Sequence, residues 1–141
     1  MSRQQLYNNI AKAEWILSPR HMRNVVLLDD HRALLQYYRP FNPICLDGFA
    51  SCETSESVED GSRLTTVRLT MHTTDDFWVD DRHLCWRITT TQGNQYLIGL
   101  DEQPWPVATV VDTYPDKTTE RSGKTITVTW TTPLGLLRIV D

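Results

Sequence analysis

A chain of 141 residues is long enough for one domain that buries roughly two-thirds of its unfolded surface, and 40% hydrophobic with 23% charged residues suits a folded globular protein. A formal net charge of −4 and a pI of about 5.5 exclude the global positive field that gathers nucleic acid or an anionic membrane. No apolar run nears the roughly 20 residues of a membrane-spanning helix, so neither nucleic acid nor membrane is an expected partner.

Threonine supplies about one residue in eight and first occurs at Thr54, and such β-branched side chains suit a pleated, half-buried surface. Seven prolines and five tryptophans complete a β composition rather than a helical one. Met1 to Gln5 is polar and leads into no apolar signal stretch, so cytoplasmic synthesis without export is expected. Cys45, Cys52 and Cys85 form an odd set without framework spacing, which reads as reduced thiols.

In chain order, residues 1–38 carry two competing periodicities. Leu6, Ile10, Ala13 and Leu17 fit a helix, while Ala11, Ala13, Trp15 and Leu17 alternate with Lys12 and Glu14 as in a strand. Ser18-Pro19 ends the segment in either case. Val25 to Leu28 is a short β-type run, and Asp29-Asp30 either caps a helical turn through Leu35 or turns into a strand ending at Tyr38. Strands are the favoured reading of both segments. Residues 39–43 form a loop or extended edge, and Ile44 to Ala50 a strand with Gly48 as a bulge.

Ser51 to Ser62, polar and acidic, reads as an exposed connection closed by an Asp-Gly turn. Leu64 to Met71 alternates clearly, with Thr65, Val67, Leu69 and Met71 on one face. Four aspartates then surround Phe77-Trp78-Val79 in a loop or short helical turn. Leu84 to Leu100 reads as a hairpin about Gly93-Asn94, a pair that tolerates positive φ. Val107 to Val111 follows Pro104-Trp105-Pro106. Asp112 to Lys124 is turn-rich with a tip at Ser122-Gly123, Thr125 to Thr131 alternates strictly, and Leu136 to Val140 closes the chain. Residues 1–141 therefore predict a single all-β domain of about eight antiparallel strands, a sandwich or a barrel. Its core is expected from Val67, Leu69, Trp86, Ile88, Tyr96, Ile98, Val128 and Trp130.

Site chemistry is sparse. Cys45, Cys52, Cys85, His72 and His83 are zinc-ligand types, but only His83 and Cys85 lie close, at a spacing of two that matches no structural zinc pattern. Asp75, Asp76, Asp80 and Asp81 have no EF-hand glycine or following bidentate glutamate. They read as a solvated loop before a calcium site or a hydrolase carboxylate pair. Trp78, Trp105 and Trp130 with Tyr96 could stack on a sugar, though large aromatics in a small β domain more often fill its core. A nucleophile elbow and a phosphate-binding glycine loop are both absent. No catalytic residue, metal or cofactor is expected; Trp78, Trp105, Asp75 and Asp76 remain the candidate ligand surface.

One resemblance runs through turn and strand positions. Glu59-Asp60-Gly61-Ser62 precedes a strand, Leu84 to Thr90 follows, then Gly93-Asn94-Gln95-Tyr96-Leu97-Ile98-Gly99. Gln103-Pro104-Trp105-Pro106-Val107 and Ser122-Gly123-Lys124-Thr125-Ile126-Thr127-Val128 complete the set. This order resembles a group of small prophage-encoded proteins of Bacteroidetes-type bacteria, over a little more than half the chain from about Glu56. The resemblance implies a virion or tail-associated component with no catalytic or ligand positions, made in the cytoplasm and incorporated into a particle. A non-enzymatic structural or assembly protein is thus expected, in contact with other phage structural proteins or with itself. The alternative is a small carbohydrate- or ligand-binding β module. Val25–Leu28 and Ile44–Leu46 carry no guarding charge or proline, whereas Arg87 and Asp112 could guard an edge. These N-terminal runs, or Ser51–Ser62, are the expected contact segments, which deletion of the N-terminal segment should disable.

Overall fold

The structure, a computed structural model, describes residues 4–17, 25–29, 31–35, 41–74, 83–100, 104–113 and 123–140. Eleven strands account for most of them: β1 (Gln4–Leu17), β2 (Val25–Leu27), β3 (Arg32–Leu35), β4 (Asn42–Ile44), β5 (Ala50–Glu59), β6 (Ser62–Thr73), β7 (Leu84–Thr90), β8 (Gln95–Ile98), β9 (Val107–Thr113), β10 (Gly123–Thr132) and β11 (Leu137–Val140). They form one sheet in the order β2-β3-β11-β8-β7-β1-β5-β6-β10-β9, with β4 also on β1. The all-β expectation holds. Among the described residues the sheet does not close into a barrel, and its two flanks share one hydrophobic core in the manner of a sandwich.

Strands β3 and β11 pair in parallel, so the sheet is mixed rather than purely antiparallel. They come from opposite ends of the chain, so no hairpin turn dictates their relative direction.

The ambiguous N-terminal segment is a single 14-residue strand at the centre of the sheet. Its second half pairs with β7 along one edge, while β5 and then β4 line the other. The ladder slips twice, between Tyr7 and Ile10 against β5 and between Ile10 and Lys12 against β7. Each slip inserts an extra residue and restarts the two-residue alternation out of phase. Tyr7, Ile10 and Ala13 consequently share the inner face at a spacing of three, which imitates a helix. Ile10, Ala13 and Ile16 are all buried. On the other face Glu14 lies directly opposite Arg87, and the guanidinium donates to both carboxylate oxygens at 3.2 and 2.9 Å. Arg87 also lies 4.3 Å over the Phe41 ring. It therefore guards no edge; it ties the central pair of strands.

Ser51 to Ser62 is also corrected. Instead of a connection it forms most of β5, held between β1 and β6. Cys52 and Thr54 point inward while Glu53 and Ser57 face solvent, so the alternation is present but carried by small polar side chains. The Asp60-Gly61 turn is as expected, with positive φ at both residues (50° and 77°), the backbone of a two-residue type I′ hairpin. The Ile44–Ala50 strand is split: β4 ends at Ile44, β5 begins at Ala50, and Gly48 lies in the break.

The β7–β8 hairpin is closed by a three-residue loop rather than by Gly93-Asn94 alone. Thr90 N–H donates to the Asn94 carbonyl and Gly93 N–H to the Thr90 carbonyl, with Gly93 supplying the positive φ. Ser122 and the rest of residues 114–122 fall outside the described residues, and Gly123 is already strand, paired with Thr113.

Of the eight expected core residues, seven are at most 1% exposed, and Tyr96 is half-buried. Trp86 and Trp130 are the largest fully buried side chains. Each such tryptophan removes roughly 150–250 Å² from water, worth about 4–6 kcal/mol as an upper figure. Burial also decides thiol chemistry. Cys52 is fully buried, and desolvation, reinforced by the Glu53 charge, pushes its thiol up to about 12. Cys85 is equally enclosed, whereas Cys45 is exposed. A thiol reagent added to native protein should therefore modify one cysteine rapidly and the other two only on denaturation. Three fast thiols would show that the core is open.

Candidate functional site

Trp78, Asp75 and Asp76 of the expected ligand surface lie outside the described residues, as do Asp80 and Asp81. Trp105 is half-buried, with its ring stacked on exposed His83 at 4.2 Å and 13°. Trp130 belongs to the core, where its indole N–H donates to the Pro104 carbonyl at 3.0 Å. Tyr96 lines a different recess. Among the described residues no group of three or more His, Cys, Asp or Glu is placed to hold a metal ion. His72 reaches the Thr125 hydroxyl at 3.1 Å.

The recess holding Tyr96 is a cleft of about 370 Å³ where the two flanks of the sheet approach. One wall comes from β1, β5 and β6 through Gln5, Tyr7, Thr54, Glu56 and Thr65. Tyr96, Leu136 and Arg138 on the β8–β11 side, with Arg32 of β3 and the preceding His31, form the other. The volume falls in the ~300–1,000 Å³ range of small-molecule sites. Tyr7 and Tyr96 face each other with ring centroids 5.6 Å apart, tilted by 37°. Tyr7 reaches this position because the first register slip of β1 turns it to the inner face.

Its charged groups are held by hydrogen bonds and ion pairs. The Asp29 carboxylate accepts from His31 N–H at 2.8 Å and from Arg32 Nε at 2.7 Å. Those bonds, the backbone one first, hold its carboxyl below the usual range. Arg138 Nη2 donates to the neutral Asn94 side-chain oxygen at 3.1 Å, and its backbone N–H to the His31 carbonyl at 2.6 Å. Glu56 pairs with Arg63 at 2.5 Å. None of Tyr7, Arg32, Glu56 or Arg138 stood out in the sequence, because segments far apart in the chain supply them.

A second feature is the pair of sheet ends. β2 and β9 are the terminal strands, and among the described residues each pairs with one neighbour. Val26, Leu27 and Leu28 are 42–47% exposed at one end, and Val107 and Val111 about 60% at the other. On β9 the ion pair Lys124–Asp112 at 2.7 Å adds charge, so Asp112 does sit on an edge strand. Of the runs expected to be unguarded, Val25–Leu27 forms an end strand, but Ile44 is buried and Leu46 bridges to Thr73. Comparison with family models, curated proteins and solved structures found no match to this chain.

Proposed function

We propose that this chain is a non-enzymatic structural or assembly component of a phage-like particle, joined to further copies of itself through its sheet ends. The observation that carries the reading is the apolar run at one sheet end, where Val26 and Leu27 of β2 and the following Leu28 are all exposed. Among the described residues β2 pairs with β3 alone, and an open apolar edge of this kind is a template for strand addition. β9, at the opposite end of the same sheet, exposes Val107 and Val111, and its one charged residue, Asp112, is paired with Lys124. Pairing β2 of one copy with β9 of the next is a heterologous contact, which builds rings when it closes and stacks when it does not. The prophage resemblance adds the setting of repeated subunits.

Light scattering across a concentration series tests this. Val26→Lys on β2 and Val111→Lys on β9 should each reduce assembly to monomer. Mixing the two variants should restore dimers only, since each retains one competent edge. A wild-type chain that stays monomeric at high concentration would remove self-assembly from the reading.

A further inference from the structure

We infer that the cleft between the β1–β5–β6 wall and the β8–β11 wall binds an acidic sugar, a hydroxylated ring bearing a carboxylate. The inference is independent of assembly, because the cleft lies within one copy of the chain.

Three properties select that class of ligand. The first is the aromatic pair. Tyr7 and Tyr96 present ring surface to a half-open recess, and the apolar C–H face of a pyranose packs against such rings. The second is the density of short polar groups. Thr54 and Thr65 are nearly buried yet line the cleft, with Gln5 and Glu56 beside them. Hydroxyls that both donate and accept can satisfy this mixture, whereas a hydrocarbon ligand would strand it. The third is charge. Among the described residues Arg32 and Arg138 line the cleft with one carboxylate, Glu56, while Asp29 pairs with Arg32 and Arg63 with Glu56. The excess is positive on a chain whose net charge is −4.

The arrangement of those charges matters more than their count. Arg32 is held by Asp29 and Arg63 by Glu56, while the Arg138 side chain rests on the neutral Asn94 amide. Arg138 is exposed at the rim, so a ligand carboxylate can reach its guanidinium, the group whose fork geometry matches a carboxylate. Glu56, already paired with Arg63, can still accept bonds from sugar hydroxyls. Carboxylate at Arg138, ring on the tyrosines and hydroxyls toward Thr54, Thr65 and Glu56 is the pose that uses all three.

Titrating the ¹⁵N-labelled protein with glucuronic acid tests the inference, with glucose, acetate and inorganic phosphate as comparison probes. Saturable shifts of the Tyr7, Thr54, Thr65, Tyr96 and Arg138 amides with glucuronic acid are the expected result. Glucose should bind at least about tenfold more weakly, the scale of one lost charge-assisted bond. Arg138→Gln should weaken glucuronic acid to the level of glucose and leave glucose unchanged. Wild-type protein that shows no saturable shifts, or shifts equally with acetate or phosphate, would overturn the inference. Equal binding of glucose and glucuronic acid would overturn its acidic part.

Discussion

Gly99→Ala is expected to lower stability by about 2–4 kcal/mol and the melting temperature by about 10 °C. Two independent costs add. Gly99 has φ of +102°, a conformation that L-residues rarely adopt. A Cβ there would also come to 2.7 Å from Pro106 Cγ and 3.2 Å from Cys85 Sγ. Pro106 and Cys85 are both buried, so neither neighbour can swing into solvent. The double variant Gly99→Ala with Pro106→Ala separates the costs. Removing the proline ring should relieve the contact but not the backbone strain, so the two substitutions should be clearly non-additive in thermal melts. A Gly99→Ala protein melting within about 2 °C of the parent would show that the close approach is not maintained in solution.

Deleting residues 1–17 should abolish cooperative folding altogether. This segment is the central strand, hydrogen-bonded to β4, β5 and β7, and without it the two flanks of the sheet lose their common member. Ile10 and Ile16 alone contribute about 3–6 kcal/mol of burial, a large part of the ~5–15 kcal/mol that holds most domains folded. The truncated chain should show collapsed amide dispersion and no sigmoidal melt, and a synthetic peptide of residues 4–17 should restore both. A sigmoidal melt in the truncated chain would contradict the central placement of β1. The same placement changes how assembly must be tested. Loss of association on N-terminal deletion would report unfolding, so the single-residue changes on β2 and β9 are the informative ones.

Where alternation was strict, the sequence already determined the strands. Val67 and Leu69, Trp86 and Ile88, and Val128 and Trp130 lie in unbroken two-residue patterns, and all are buried as the patterns require. The Asp60-Gly61 turn was equally legible, because few residue pairs accept two successive positive φ values. Composition by itself determined the all-β class.

Tertiary structure alone decided the rest. The two register slips in β1 break its alternation, and a slip is a property of a strand and its partners together, invisible in one segment. β5 was hidden because Ser51, Cys52, Thr54, Ser55 and Ser57 are small and largely polar, and only their pairing with β6, and with β1 up to Ser55, makes them strand residues. The parallel β3–β11 contact joins residues about a hundred positions apart, so no local turn announces it. The cleft depends on all three of these features. Tyr7 enters it through a slip, Thr54 and Glu56 through β5, and Arg32 and Arg138 through the parallel pair.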